Sequence, residues 1–186
     1  DKSRRDGELV ALLSEDLEAE PEGTARHGEL SVRTARVARR RPDLPAAARY
    51  LESALRNEAY VADAALLAEA DELAIEAAAS SLRVAVAERR VEAAAEPEAL
   101  AAAHEHLGEL LAQSEPARAG DSFFSAARTL ASLVEDGDEA GLALRAIADA
   151  ERARGLVVSP RPCLELLLAL RKKRGDFSGY LQDLER

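Results

Sequence analysis

Apolar residues return along this chain at steps of three and four, the period that gathers them on one face of an α-helix. Leu9, Leu12, Leu13 and Leu17 share such a face within 7–18. The pattern resumes over about 24–40, 43–57, 58–78, 81–96 and 97–113, reopens at Gly120-Asp121, and continues over 138–154, 162–174 and 176 onward. The interruptions carry signals of their own. Thr24 follows Pro21-Glu22-Gly23 as an N-cap, Asp43 caps the next helix with Pro45 in its first turn, and Pro97 opens another. Gly-Asp recurs at 120–121, 137–138 and 175–176, where glycine can end one helix in the left-handed conformation and aspartate can cap the next. Gly155 to Arg161 is the longest irregular stretch. About ten helices joined by short loops are expected, an all-α fold in which sequential helices pack antiparallel.

A longer regularity underlies the short one. Leu107-Gly108-Glu109-Leu110 is echoed one step of about 40 residues away at Leu67-Ala68-Glu69-Ala70 and Ile147-Ala148-Asp149-Ala150, and two steps away at His27-Gly28-Glu29-Leu30. In the intervening helices Leu44 maps onto Val84, Phe124 and Leu164 at the same offset, and Ala47 maps onto Ala87, Ala127 and Leu167. The Leu51 column continues through Val91 and Ala131 and fails at Arg171. Periods of 20 to 50 residues mark arrays in which stacking neighbours supply the core that no single unit can bury.

These helix pairs resemble tetratricopeptide-like repeats. The first helix of such a unit carries Leu-Gly with a large residue three positions on, matched by Leu107-Gly108 with Leu111 and more weakly by His27-Gly28 with Ser31. The second carries Ala, a bulky residue at i+4 and Ala at i+7, matched by Ala47-Leu51-Ala54 and Ala87-Val91-Ala94. The period is about six residues longer than the family's 34, and most of its aromatics are missing, so HEAT-like units of about 40 to 47 residues stand as the second choice. The resemblance implies a right-handed α-solenoid of antiparallel hairpins spanning 1–186 as one repeat domain. It also places the residue after Leu-Gly on the concave face, which here is Glu29, Glu69, Glu109 and Asp149. With Arg33, His106 and Gln113 these make the expected partner-binding groove.

Composition narrows the class. Alanine makes up about a fifth of the 186 residues and aromatics 3%, which favours helix over strand. There is no apolar run long enough for a membrane span and no N-terminal signal pattern, so no membrane insertion is expected. A formal net charge of −10 disfavours nucleic acid and anionic membranes and favours a protein or peptide with a basic segment. One cysteine, Cys163, excludes an internal disulfide and suits a reducing, cytoplasmic setting. Arg outnumbers Lys 22 to 3, a bias associated with G+C-rich bacterial genomes. The lack of Met and a helical pattern that persists to Arg186 lead us to expect part of a longer protein.

Candidate chemistry is sparse. His104 and His106 diverge on a helix and cannot chelate one metal together, and the zinc-protease spacing is absent. Cys163 has no His or Asp near it in sequence, and Glu135-Asp136-Gly137-Asp138-Glu139 lacks the remainder of a calcium loop. The runs Arg39-Arg40-Arg41 and Arg171-Lys172-Lys173-Arg174 close helices, where cations offset the helix dipole. No cofactor, metal site or catalytic grouping is therefore expected. The expectation is a non-enzymatic scaffold, the alternative a helical bundle or oligomerisation module without a peptide groove. Arg26, Arg33, Arg145 and Arg152 could neutralise part of the acidic column. With only Asn57 and three lysines, the Lys/Asn carboxylate clamp of some tetratricopeptide domains is not expected. Phe177, Tyr180, Leu181 and Leu184 are expected to form an exposed apolar end open to another unit or a second copy.

Overall fold

The computed structural model describes residues 2–134, 140–156 and 160–184. Its elements are α1 (Lys2–Ala19), α2 (Ala25–Arg40), α3 (Leu44–Arg56), α4 (Ala64–Glu76), α5 (Ser80–Ala93), α6 (Pro97–Leu111), α7 (Pro116–Leu133), α8 (Ala140–Leu156), α9 (Arg161–Arg174) and α10 (Phe177–Leu184). The described chain is all-helical, with ten helices. α2, α4, α6 and α8 begin at 25, 64, 97 and 140, steps of 39, 33 and 43. α3, α5, α7 and α9 begin at 44, 80, 116 and 161, steps of 36, 36 and 45.

Local chemistry sets the boundaries. The Thr24 hydroxyl accepts from His27 N–H at 3.1 Å and the Asp43 carboxylate from Ala46 N–H at 3.2 Å, both at the caps expected from sequence. The expected helix over 58–78 is shorter, because Asp63 accepts from Leu66 N–H at 2.7 Å and starts α4 there. Asn57 fixes the preceding loop by accepting from Ala59 N–H at 3.0 Å and donating to the Thr24 carbonyl at 2.7 Å. α4 ends without glycine, since Ala78 takes φ +48°, Ala79 N–H reaches Ala74 O at 2.9 Å and Ala78 N–H reaches Ile75 O at 3.2 Å. Gly175, at φ +68°, closes α9 with the same pair of bonds, to Arg171 O and Lys172 O.

The expected break at Gly120-Asp121 does not occur. α7 begins at Pro116 and runs through both residues, with Gly120 buried beside Ala119, Ser122, Phe123, Ala126 and Ala127. Packing of that small-residue face outweighs the cost of about 1 kcal/mol for glycine inside a helix. Gly155 likewise belongs to α8. Gly137-Asp138, and with them the calcium-like stretch 135–139, lie outside the described residues.

Contacts divide the chain into two compact units, residues 1–89 and 90–186. In the first, Val32, Ala35 and Ala38 of α2, Ala47, Leu51 and Ala54 of α3, Leu67, Ala70 and Leu73 of α4, and Leu82 and Val86 of α5 share one core. α1 joins through Leu13 against Leu30 and Val37 of α2, while Leu12 on the same helix is 59% exposed. Arg89 of α5 donates to the Leu55 and Asn57 carbonyls, where α3 leaves its last acceptors free. In the second unit Ala101, Ala126, Ala127, Leu130, Ala146, Ile147, Ala150, Leu167 and Leu170 form the core across α6 to α9. Eight of sixteen core residues in the first cluster and five of nine in the second are alanine, so helix backbones approach closely.

Candidate functional site

In the first unit the buried positions of α2 leave Glu29, Arg33, Arg36 and Arg40 as one outward stripe at helical spacing. Arg36 meets Glu69 of α4 through a two-pronged contact, Nε at 3.2 and 3.1 Å from its two carboxylate oxygens and Nη2 at 2.8 Å. That hydrogen bonding raises the Arg36 pKa. One turn on, Arg39 reaches Glu76 at 2.8 Å. Gly28 lets the loop between α3 and α4 lie close against α2, because a Cβ there would stand 2.4 Å from Tyr60 Cβ. Burial and then Asp63 raise the Tyr60 phenol pKa.

The second unit repeats the device with other partners. Glu105 and Glu109 lie one turn apart on α6, facing Arg145, Asp149 and Arg152 of α8. Arg145 Nη2 donates to both Glu105 oxygens at 2.9 and 2.8 Å. Arg152 Nη1 lies 3.8 Å from Glu109 and 3.7 Å from Asp149, and its guanidinium sits 5.4 Å from the centre of the Phe123 ring. Gly108 receives that ring, since a Cβ there would be 2.9 Å from it. Asp149 is 2% exposed, and its buried Oδ2 has no hydrogen-bond partner. Burial first and Glu105 second push its pKa up to about 7, against the pull of Arg152 and Arg145.

The four column acids therefore meet different fates. Glu29 and Glu109 are exposed, as are Arg33 and Gln113 one turn beyond them. Glu69 is half-buried in its ion pair. Asp149 does not face solvent, because α8 turns it inward. His106 is half-buried on α6. Arg26 pairs with Glu20 at 3.5 Å and takes no part in the column. Glu105 and Arg36 were not anticipated, though the signal existed: Glu105 and Arg145 stand 40 residues apart, an acid and a base one repeat step away from each other.

At the chain's C-terminal end Leu181 and Leu184 are 58% and 55% exposed and Tyr180 is half-buried, while the Phe177 side chain lies outside the described ones. The inward side of α10 carries Gly179 and Asp183. Asp183, 2% exposed, is held by Arg154 at 3.0 Å and Arg171 at 2.8 Å. Arg171 also reaches Asp176 at 3.2 Å and Glu151. Asp176 accepts from Gly179 N–H at 3.0 Å, and that bond, then Arg171, holds its carboxyl below the ordinary range.

Other candidate groups are quiet. His104 has a buried Nδ1 without a partner, and burial lowers its pKa. Burial raises the Cys163 thiol pKa, the reverse of activation. No cluster of three potential metal-ligating side chains, and no helix long and apolar enough to cross a membrane, is found among the described residues. Comparison with protein-family models, with curated proteins and with solved structures finds no match to this chain.

Proposed function

We propose that the chain is a non-enzymatic interaction scaffold, a tetratricopeptide-like α-solenoid whose first-helix faces receive a protein or peptide with a basic segment. The observation that carries this reading is the correspondence of α2 and α6. Each presents a glycine with an aromatic laid against it, an exposed acid next to that glycine, and a further exposed polar residue one turn on: Gly28, Glu29 and Arg33 in one, Gly108, Glu109 and Gln113 in the other. Aromatic-backed glycines fix the helix positions, and the exposed acids remain available to a partner. The net charge of −10 adds long-range attraction for cations, which falls as salt rises.

The test is binding of an Arg/Lys-rich peptide to the chain and to a Glu29→Gln, Glu109→Gln double variant over a salt series. Binding should weaken by about threefold per charge removed, the scale of an exposed ion pair. Its salt dependence should flatten as well. Equal affinity and equal salt slope in the two proteins would remove the acids from the binding surface.

A further inference from the structure

We propose that the pocket at the start of α2 receives a guanidinium group, the side chain of an arginine in the partner's basic segment. That source rests on the scaffold reading above, while the chemistry rests on the pocket itself. The cavity measures about 490 Å3, within the roughly 300–1,000 Å3 of small-ligand sites, and belongs wholly to the first unit. Its walls come from the loop before α2, the last turn of α3 and the loop that follows α3. Asn57 ties the two loops together by donating to the Thr24 carbonyl and accepting from Ala59 N–H, so the walls are held before any ligand arrives.

Several lining groups have no partner of their own. Glu22 and Glu58 line the pocket from different loops, both are exposed, and neither carboxylate is paired among the described residues. The Ser53 hydroxyl is unpaired in the same sense. His27 is the buried member of the lining, 9% exposed, with an Nδ1 that is sealed and has no hydrogen-bond partner. Thr24 fixes this residue by accepting from its main-chain N–H at 3.1 Å. No group of the fold satisfies the imidazole, so its hydrogen bond has to come from whatever enters the pocket. Arg56 also lines the cavity, but it is paired with Glu52 at 2.9 Å, which leaves the free charge there negative.

A guanidinium fits this set better than a metal ion, an ammonium or an anion. Glu22, His27 and Glu58 do not form a metal-ligating group, so one small ion does not engage all three. A guanidinium carries five N–H donors on the edges of a rigid plane and can bridge acceptors set farther apart, whereas an ammonium presents three donors around one point. An anion would meet two unpaired carboxylates.

N-acetyl-arginine amide and N-acetyl-lysine amide, titrated separately and followed by backbone amide NMR shifts, test the site directly. Saturable shifts at Gly23, His27, Ser53 and residues 56–59 are expected with the arginine probe, and weaker binding with the lysine probe. Glu22→Gln and Glu58→Gln together should weaken the arginine probe by about threefold per carboxylate, at two exposed positions where the fold is kept. No saturable shift at those residues, equal binding of the two probes, or indifference to the double variant overturns the subsite. An Arg-rich peptide titrated in the same way separates this outcome from the scaffold reading. Peptide shifts at the pocket uphold both. Peptide binding that shifts only residues around Glu29 and Glu109 overturns the subsite and keeps the scaffold. A chain that binds the arginine probe but no peptide overturns the basic segment as the source and keeps the guanidinium chemistry.

Discussion

At the scale of single residues, the small positions are the ones with the least freedom. Gly28 and Gly108 are both backed by aromatics, but the obstructing atoms differ: Tyr60 Cβ at 2.4 Å is tied to its backbone, whereas the Phe123 ring atom at 2.9 Å can swing. Gly28→Ala should therefore lower stability by about 2–3 kcal/mol and Gly108→Ala by less, about 1 kcal/mol, because overpacking is partly offset by alanine's helix propensity. Urea unfolding of the two variants checks the order. Ala78 is the opposite case, an exposed alanine at φ +48° in a position that favours glycine. Ala78→Gly should raise stability by about 0.5–1 kcal/mol, and an unchanged or lower melting temperature would contradict the strain argument.

At the scale of elements, α10 exposes Leu181 and Leu184 as its sequence leads one to expect, but what anchors it is polar. Its leucines Leu181 and Leu184 point outward, and it is held to α9 and α8 through Asp183, Arg171 and Arg154. Leu181→Asp should leave stability within about 0.5 kcal/mol, as for an exposed site. Asp183→Ala leaves two arginines facing a lost acceptor and should cost on the order of 3 kcal/mol. Amide exchange in α10 reads the difference directly. Gly179→Ala should release the same helix, because its Cβ would fall 1.7 Å from Arg171 Nη1 in a guanidinium already held by three acids. Helix starts were legible in the sequence wherever one side chain supplied the signal, as at Thr24, Asp43 and Pro97. The start at Asp63 was hidden inside an unbroken apolar period, whereas the end near Ala78 falls where the pattern stops, although no glycine marks it. Gly120 misled for the complementary reason: its small volume serves packing in α7, a use that local pattern cannot distinguish from a break. Asp149 looked like its column mates because spacing gives the direction of a side chain from its own helix, not what the next helix brings against it.

At the scale of the molecule, the two units are each built from helices that follow one another in the chain, and ion pairs such as Arg36–Glu69 and Arg145–Glu105 join helices two apart. If the ten helices stack as proposed, small-angle scattering should return a radius of gyration above the roughly 16 Å of a compact domain of this length. A value at or below that figure would favour the closed bundle. The alanine-filled cores described above also determine how the molecule can vary. A leucine in such a core can be exchanged for isoleucine or methionine at modest cost, since volume is nearly kept. Ala47, Ala54, Ala70, Ala74, Ala126 and Ala146 are fully covered and have no larger neighbour of equivalent volume to exchange with. Saturation mutagenesis should accordingly return an inverted map of tolerance, with enlargement at these alanines more damaging than shortening at many leucines. Drift over long times would then erase the leucine pattern first, leaving the spacing of the small residues as the more durable record of descent.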